Sequence, residues 1–173
     1  KVDSRLHRRL QMSWPDDCEM PDRLRLTVRP LGRKDPIELF RRIARGRSPF
    51  FLDSSRQEAD LARYSFLGSD PIGWFRSRGR RAEWSTPWGD QSRRGNPFDA
   101  LADFLSGLPT ATAGTPAYPF LGGPVGYFSY DLGRCVEEIP DRKAADLQVP
   151  DIHLAVYPRV YVVDHVWGET FVI

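Results

Sequence analysis

Phe120-Leu121-Gly122-Gly123-Pro124-Val125-Gly126-Tyr127-Phe128-Ser129-Tyr130-Asp131-Leu132-Gly133-Arg134, followed by Glu137-Glu138-Ile139-Pro140, is the stretch on which the fold turns. Gly122, Gly123 and Gly126 open it, yet their spacing is neither G-x-G-x-x-G nor G-K-[ST], and the run leads into a strand over 125–130 rather than a helix. A phosphate cradle is therefore a poor reading. The glycines read instead as positions of positive φ or close backbone approach ahead of a strand. Asp131 stands three residues before Arg134, a spacing that pairs the two across a helical turn or holds a loop shut next to a pocket or interface.

Strands continue on the carboxy-terminal side, over 152–157, 160–164 and 170–173, and read as an antiparallel meander. Toward the amino terminus, Leu24, Leu26 and Val28 alternate with Arg25, Thr27 and Arg29, the period-two signature of a half-buried strand. Asp35-Pro36 supplies an N-cap and a first-turn proline for a helix over 36–45, with Ile37, Phe40, Ile43 and Ala44 on one face. Phe50-Phe51-Leu52 is a short strand that delivers Asp53 and Ser54 at its end, and further strands follow over 64–67 and 72–77. Asn96-Pro97 starts a second helix with Phe98, Leu101, Phe104 and Leu105 on one face, and residues 109–119 form a loop. No fixed-period repeat is present. The sum is an α+β fold, a mostly antiparallel β-sheet with helices on one face.

At 173 residues, 40% hydrophobic and 12% aromatic, the chain is sized and composed for one globular domain. Apolar runs are short and residues 1–22 lack the apolar centre of a signal peptide, so a cytoplasmic protein with no membrane partner is expected. Cys18 and Cys135 form no C-x-x-C pair, so a zinc site has no support and both read as ordinary thiols. His7, His153 and His165 are far apart and none stands beside a nucleophile in sequence, which leaves no catalytic or metal triad to propose; nor does anything bring two of Asp53, Asp70 and Asp131 together. Net charge is +2, with arginines bunched at Arg76, Arg78, Arg80, Arg81, Arg93 and Arg94. That bunching reads as a solvated hairpin, and no nucleic-acid partner is expected.

Three of these segments, in order, carry a resemblance. Residues 120–140, the strand Pro49-Phe50-Phe51-Leu52-Asp53-Ser54 and the run Arg63-Tyr64-Ser65-Phe66-Leu67-Gly68-Ser69-Asp70-Pro71 resemble the amino-terminal domain of the aminodeoxychorismate synthase component I and anthranilate synthase component I family. The resemblance covers residues 23–173, while residues 1–22 match nothing in it and read as an amino-terminal extension. It implies half of an αββα sandwich whose other half, a carboxy-terminal chorismate-binding domain with the catalytic groups, is absent from this chain. It also implies that the parent aminates chorismate, with a glutamine amidotransferase subunit as ammonia source and Mg²⁺ as cofactor. No catalytic residue, cofactor or metal is assigned within this chain. The Tyr130-Asp131-Leu132-Gly133-Arg134 run looks more like the aminodeoxychorismate version, on the route to 4-aminobenzoate and folate. The alternatives are the same domain of an anthranilate synthase, on the route to tryptophan, and a stand-alone amino-acid-binding module.

In the family, the serine at the strand end and the R-Y-S-F residues line a tryptophan pocket. Carried over by motif, the ligand-binding candidates are Leu52, Ser54, Tyr64, Ser65 and Phe66, with Gly122, Gly123, Gly126, Tyr130, Asp131 and Arg134 as a structural motif. Apolar and aromatic walls suit an indole, and hydroxyl groups suit an amino-acid head group. Asp53 stands where feedback-sensitive anthranilate synthases usually have Glu. On the residues alone, Ser54 is equally a strand-end cap, and Tyr64 and Phe66 are more often core aromatics than pocket walls.

Overall fold

The computed structural model describes residues 23–24, 26–54, 62–111, 118–137 and 148–173. The expectations for His7, Cys18, the residues 138–140 of the last motif and most of the 109–119 loop lie outside them.

In chain order the strands and helices are β1 Arg23–Leu24, β2 Arg29–Pro30, α1 Pro36–Ile43, β3 Phe50–Leu52, β4 Tyr64–Gly68, β5 Gly73–Arg78, β6 Arg81–Thr86, β7 Gly89–Arg94, α2 Pro97–Ser106, β8 Thr110–Ala111, β9 Gly123–Phe128, β10 Ile152–Tyr157, β11 Tyr161–Asp164 and β12 Glu169–Val172. They build two five-stranded antiparallel sheets, ordered β2-β12-β11-β4-β3 and β7-β6-β5-β10-β9, with a small parallel pair β1-β8. The class is the expected α+β fold of antiparallel sheets, each with a helix packed on one face. The carboxy-terminal strands do not form one meander, because the chain leaves the second sheet after β10 and enters the first at β11. The expected strand over Leu24 to Val28 is likewise divided: its first residues pair with β8, and the chain rejoins a ladder only at β2.

Both helices begin as their sequences dictate. The Asp35 carboxylate accepts from the Glu38 amide at 2.9 Å and the Asn96 side chain accepts from the Phe98 amide at 2.9 Å, each satisfying an amide that has no partner in a first turn. Their buried faces are rotated from the expected ones. In α1, Leu39, Phe40 and Ile43 pack on Phe51, Leu67 and Val163, leaving Ile37 exposed. In α2, Ala100, Leu101 and Phe104 pack on Phe75, Ile152 and Leu154, leaving Phe98 and Leu105 exposed. A small alanine at 100 admits the close approach of α2 to the sheet, so the face centres on it.

A third core joins the sheets. Ala155 and Tyr157 of β10 meet Val160, Val162 and Ile173, ringed by Phe50, Tyr64, Phe66, Tyr118, Phe120 and Val125. Strand β10 is thus buried on both faces. The Tyr157 hydroxyl donates to the Ser48 carbonyl at 2.6 Å, tying the strand's end to the loop before β3.

The glycines of the opening stretch act here. Gly122 and Gly123 both hold φ near +116°, a backbone that side chains disfavour. At Gly126 a Cβ would lie 1.8 Å from the His153 carbonyl oxygen, so β9 approaches β10 only because that atom is missing. The strand ends at Phe128, earlier than expected. The Ser129 amide turns to the Asp151 carbonyl, and a 3-10 turn over Tyr130–Cys135 sinks Leu132 into the α2 core. Gly126→Ala is expected to cost about 3 kcal/mol by urea denaturation, since the clash is with backbone and no side chain can give way.

Candidate functional site

The antiparallel register of β3, β4 and β11 assembles the candidate site. Leu52 lies opposite Phe66, Phe66 opposite Val162, and Tyr64 opposite Asp164. Opposed residues share a face, so Leu52, Tyr64 and Phe66 line one side of the sheet. Tyr64 and Phe66 belong to an aromatic group, with ring centroids 6.1 Å apart, Tyr118 6.3 Å from Tyr64 and Phe120 5.6 Å from Phe66. Leu52 is 50% exposed at the rim.

Ser65 does not join that wall. Adjacent strand residues point to opposite faces, and Ser65 is fully buried on the other side. Its hydroxyl accepts from the Ser54 amide at 3.0 Å, donates to Asp53 Oδ1 at 3.0 Å and lies 2.7 Å from His165 Nε2. With its one proton directed to Asp53, the hydroxyl accepts from His165, which therefore carries its hydrogen on Nε2. Ser54 is held twice, since its hydroxyl also donates to the Tyr64 carbonyl at 2.6 Å. The structure thus brings Leu52, Ser54, Tyr64 and Phe66 to the face or its end, and sets Ser65 beneath them as the fastening.

His165 and Asp53 meet at Ser65, a contact not foreseen from the sequence. The sequence hides this because His165 lies 100 residues from Ser65 and reaches it only through the β4–β11 pairing. The order is not that of a nucleophilic triad, where the histidine bridges acid and serine; here a buried, saturated serine is the centre.

Asp164 anchors the same corner. Its side chain is fully buried and accepts from Arg63 Nε at 3.0 Å and Nη2 at 2.7 Å, while its other oxygen accepts from the Val166 and Trp167 amides at 3.0 and 3.1 Å. The Arg63 guanidinium lies 4.8 Å from the Tyr64 ring centroid and 4.4 Å from that of Trp167. Burial pushes the Asp164 carboxyl up, but Arg63 and the two amides outweigh it and hold it below the ordinary 3.8. The hydrogen bond to Asp164 in turn raises the Arg63 guanidinium.

The remaining motif residues lie elsewhere. Asp131 accepts from Arg134 Nε at 3.2 Å within the 3-10 turn, and Tyr130 is 96% exposed. Among the described residues no three His, Cys, Asp or Glu side chains gather as a metal site. Nor is any described helix long and apolar enough to cross a membrane.

The fold of two antiparallel sheets places the chain beside the component 1 synthases. The solved anthranilate synthase component I of Streptococcus pneumoniae shares the fold at a TM-score of 0.51 and 24% identity, over 66% of this chain and 25% of that one. By sequence, anthranilate synthase component 1 of Mycolicibacterium smegmatis is 35% identical over 134 residues, 75% of this chain and 25% of that protein. Aminodeoxychorismate synthase component 1 of Bacillus subtilis is 32% identical over 146 residues, 79% of this chain and 30% of that protein. The chain belongs to the family of these component 1 synthases, and it spans about a quarter of the length of the curated relatives it matches. No family model matches it.

A carboxyl held below its ordinary value stabilises the fold fully above that value, and the contribution is lost as pH falls through the lowered one. Asp164 acts this way, as does Asp70, whose carboxyl is lowered by the Arg47 amide and the Ser69 hydroxyl. The urea midpoint is expected to hold steady from about pH 7 to pH 5 and to fall below about pH 4. Asp164→Asn is expected to cost about 3 kcal/mol at neutral pH and to flatten that acid limb.

Proposed function

We propose that this chain is the amino-terminal, structural and ligand-holding domain of an aminodeoxychorismate synthase component 1, with a pocket for tryptophan or a similar amino acid between Ser54 and the Tyr64–Phe66 face. The observation that carries this reading is the fastening of Ser54 to Tyr64 and Ser65, which fixes a hydroxyl at the edge of an aromatic wall. Ser54 spends its proton on the Tyr64 carbonyl, so its lone pairs are free to accept from an α-ammonium group. Tyr64 and Phe66 offer ring faces to an indole, and Leu52 closes the rim. Ser65 and His165 position Ser54 without touching the ligand.

On this reading the chorismate chemistry belongs to the remaining three quarters of the parent: a carboxy-terminal domain with its Mg²⁺ and a glutamine amidotransferase partner that supplies ammonia. The parent would form 4-amino-4-deoxychorismate in the cytoplasm, toward 4-aminobenzoate and folate. The Tyr130–Arg134 run supports this member of the family. The 35% match to an anthranilate synthase favours a second reading, in which the parent forms anthranilate and the pocket is a feedback site.

The product decides between them. The full-length gene product, given chorismate, ammonium and Mg²⁺, is expected to yield 4-amino-4-deoxychorismate by chromatography; direct formation of anthranilate selects the second reading, and neither product removes both. By calorimetry on the same protein, Ser54→Ala is expected to weaken L-tryptophan about tenfold, the worth of one hydrogen bond to a charged group. Unchanged affinity removes Ser54 from the pocket.

A further inference from the structure

Residues 118–122 lie across the aromatic wall of the first sheet. The Phe120 ring meets Phe66 at 90° with centroids 5.6 Å apart, and the Tyr118 ring meets Tyr64 at 80° and 6.3 Å. Tyr118 also reaches Phe171 on β12, with centroids 5.5 Å apart, so it spans the sheet from β4 across β11. Edge-to-face contacts at these separations are the ones an aromatic ligand would make with the same side chains. Two rings of the chain thus hold the surface that the tryptophan-pocket reading gives to an amino-acid side chain.

Little fixes this segment in place. Among the described residues no main-chain hydrogen bond reaches 118–122, and ladder pairing begins only at Gly123. Pro119 has no amide to donate. Tyr118, Phe120 and Leu121 are each only half-buried where they pack on the core between the sheets. Behind them Gly122 and Gly123 both sit at φ +116°, two successive residues with a backbone freedom that side chains deny. A segment with few main-chain bonds and partial burial opens locally at a fraction of the cost of unfolding the sheet. A glycine pair at its base can absorb the backbone rotation that such an opening needs. Further along, Gly126 is held against the His153 carbonyl, so the boundary between the movable and the fixed part falls at the glycine pair.

We propose that residues 118–121 form a lid over the tryptophan pocket, hinged at Gly122-Gly123, which an amino acid with an aromatic side chain displaces on binding. The inference rests on the pocket reading and adds to it how entry is controlled. Closed, Phe120 and Tyr118 cover Phe66 and Tyr64. Open, they release both rings, while Ser54 stays at the pocket's edge because its fastening runs through Ser65 and the Tyr64 carbonyl. A closed molecule does not bind, so the observed affinity is the intrinsic one reduced by the fraction that stands open. An aliphatic amino acid regains less contact on the bared rings than the two aromatic side chains give up, so the lid also selects for ring-bearing ligands.

The test is stopped-flow fluorescence and calorimetry with L-tryptophan on the full-length gene product. For a lid that opens before the ligand enters, the observed rate levels off at the opening rate as L-tryptophan is raised. Phe120→Ala is expected to raise that plateau and to tighten L-tryptophan at least about fivefold, because the open fraction grows. Phe120→Leu keeps an apolar side chain in the core and loses the edge-to-face contact; it guards against a variant that fails to fold and is expected to shift both quantities the same way, by less. Weaker binding in both Phe120 variants with the plateau unchanged makes Phe120 a fixed wall of the pocket and overturns the lid. Unchanged rate and affinity in both, where Ser54→Ala still weakens binding, overturns the lid and leaves the pocket standing. Binding by Phe120→Ala where the wild-type protein shows none supports a lid shut at rest. No binding by the wild-type protein or either variant removes pocket and lid together.

Discussion

The structure depends on β10 being buried from both sides. Ile152, Leu154 and Val156 face α2 while Ala155 and Tyr157 face the aromatic core between the sheets, so one six-residue strand belongs to both cores. A strand in that position needs apolar residues in succession rather than in alternation. It also needs a neighbour thin enough to pack beside it, which is the role of Gly126. The chain then crosses at Pro158 and Arg159 into the first sheet, so the site corner built by β11 is indexed to the same strand.

At that corner the geometry separates support from contact. Strand alternation puts Tyr64 and Phe66 above the sheet and Ser65 below it, and the hydrogen bonds run from below to hold the strand end that emerges beside the rings. Arg63 and Asp164 reinforce the arrangement by closing the β11–β12 turn onto the start of β4. Along Tyr64-Ser65-Phe66 the jobs alternate: ring, fastening, ring.

Much of this was legible in the residues. Asp35-Pro36 and Asn96-Pro97 marked both helix starts, and strands were expected over 64–67 and 72–77, where β4 and β5 lie. The glycines declared a close backbone approach, although not that His153 would be the neighbour. The opposite facing of Ser65 was available from alternation alone. What could not be read were the long-range partners. Nothing near His165 announces Ser65, nothing near Asp164 announces Arg63, and the division of the last strands between two sheets rests on packing that no local pattern encodes. Leu39 in place of Ile37, and Ala100 in place of Phe98, show tertiary fit choosing among several apolar residues of a short helix.

The bond from Arg63 to Asp164 spans 101 residues of chain, and this has a bearing on the order of assembly. The β5–β6–β7 hairpins close over a few residues and are free to form while the chain is still growing. The first sheet has local pairings in β3–β4 and β11–β12, but to join them β4 waits for β11. Closing so long a loop takes its entropic toll before any contact is returned. During synthesis the aromatic face of β4 therefore leaves the ribosome well before its partner strand exists, and for that interval it is the segment of this protein most in need of a chaperone.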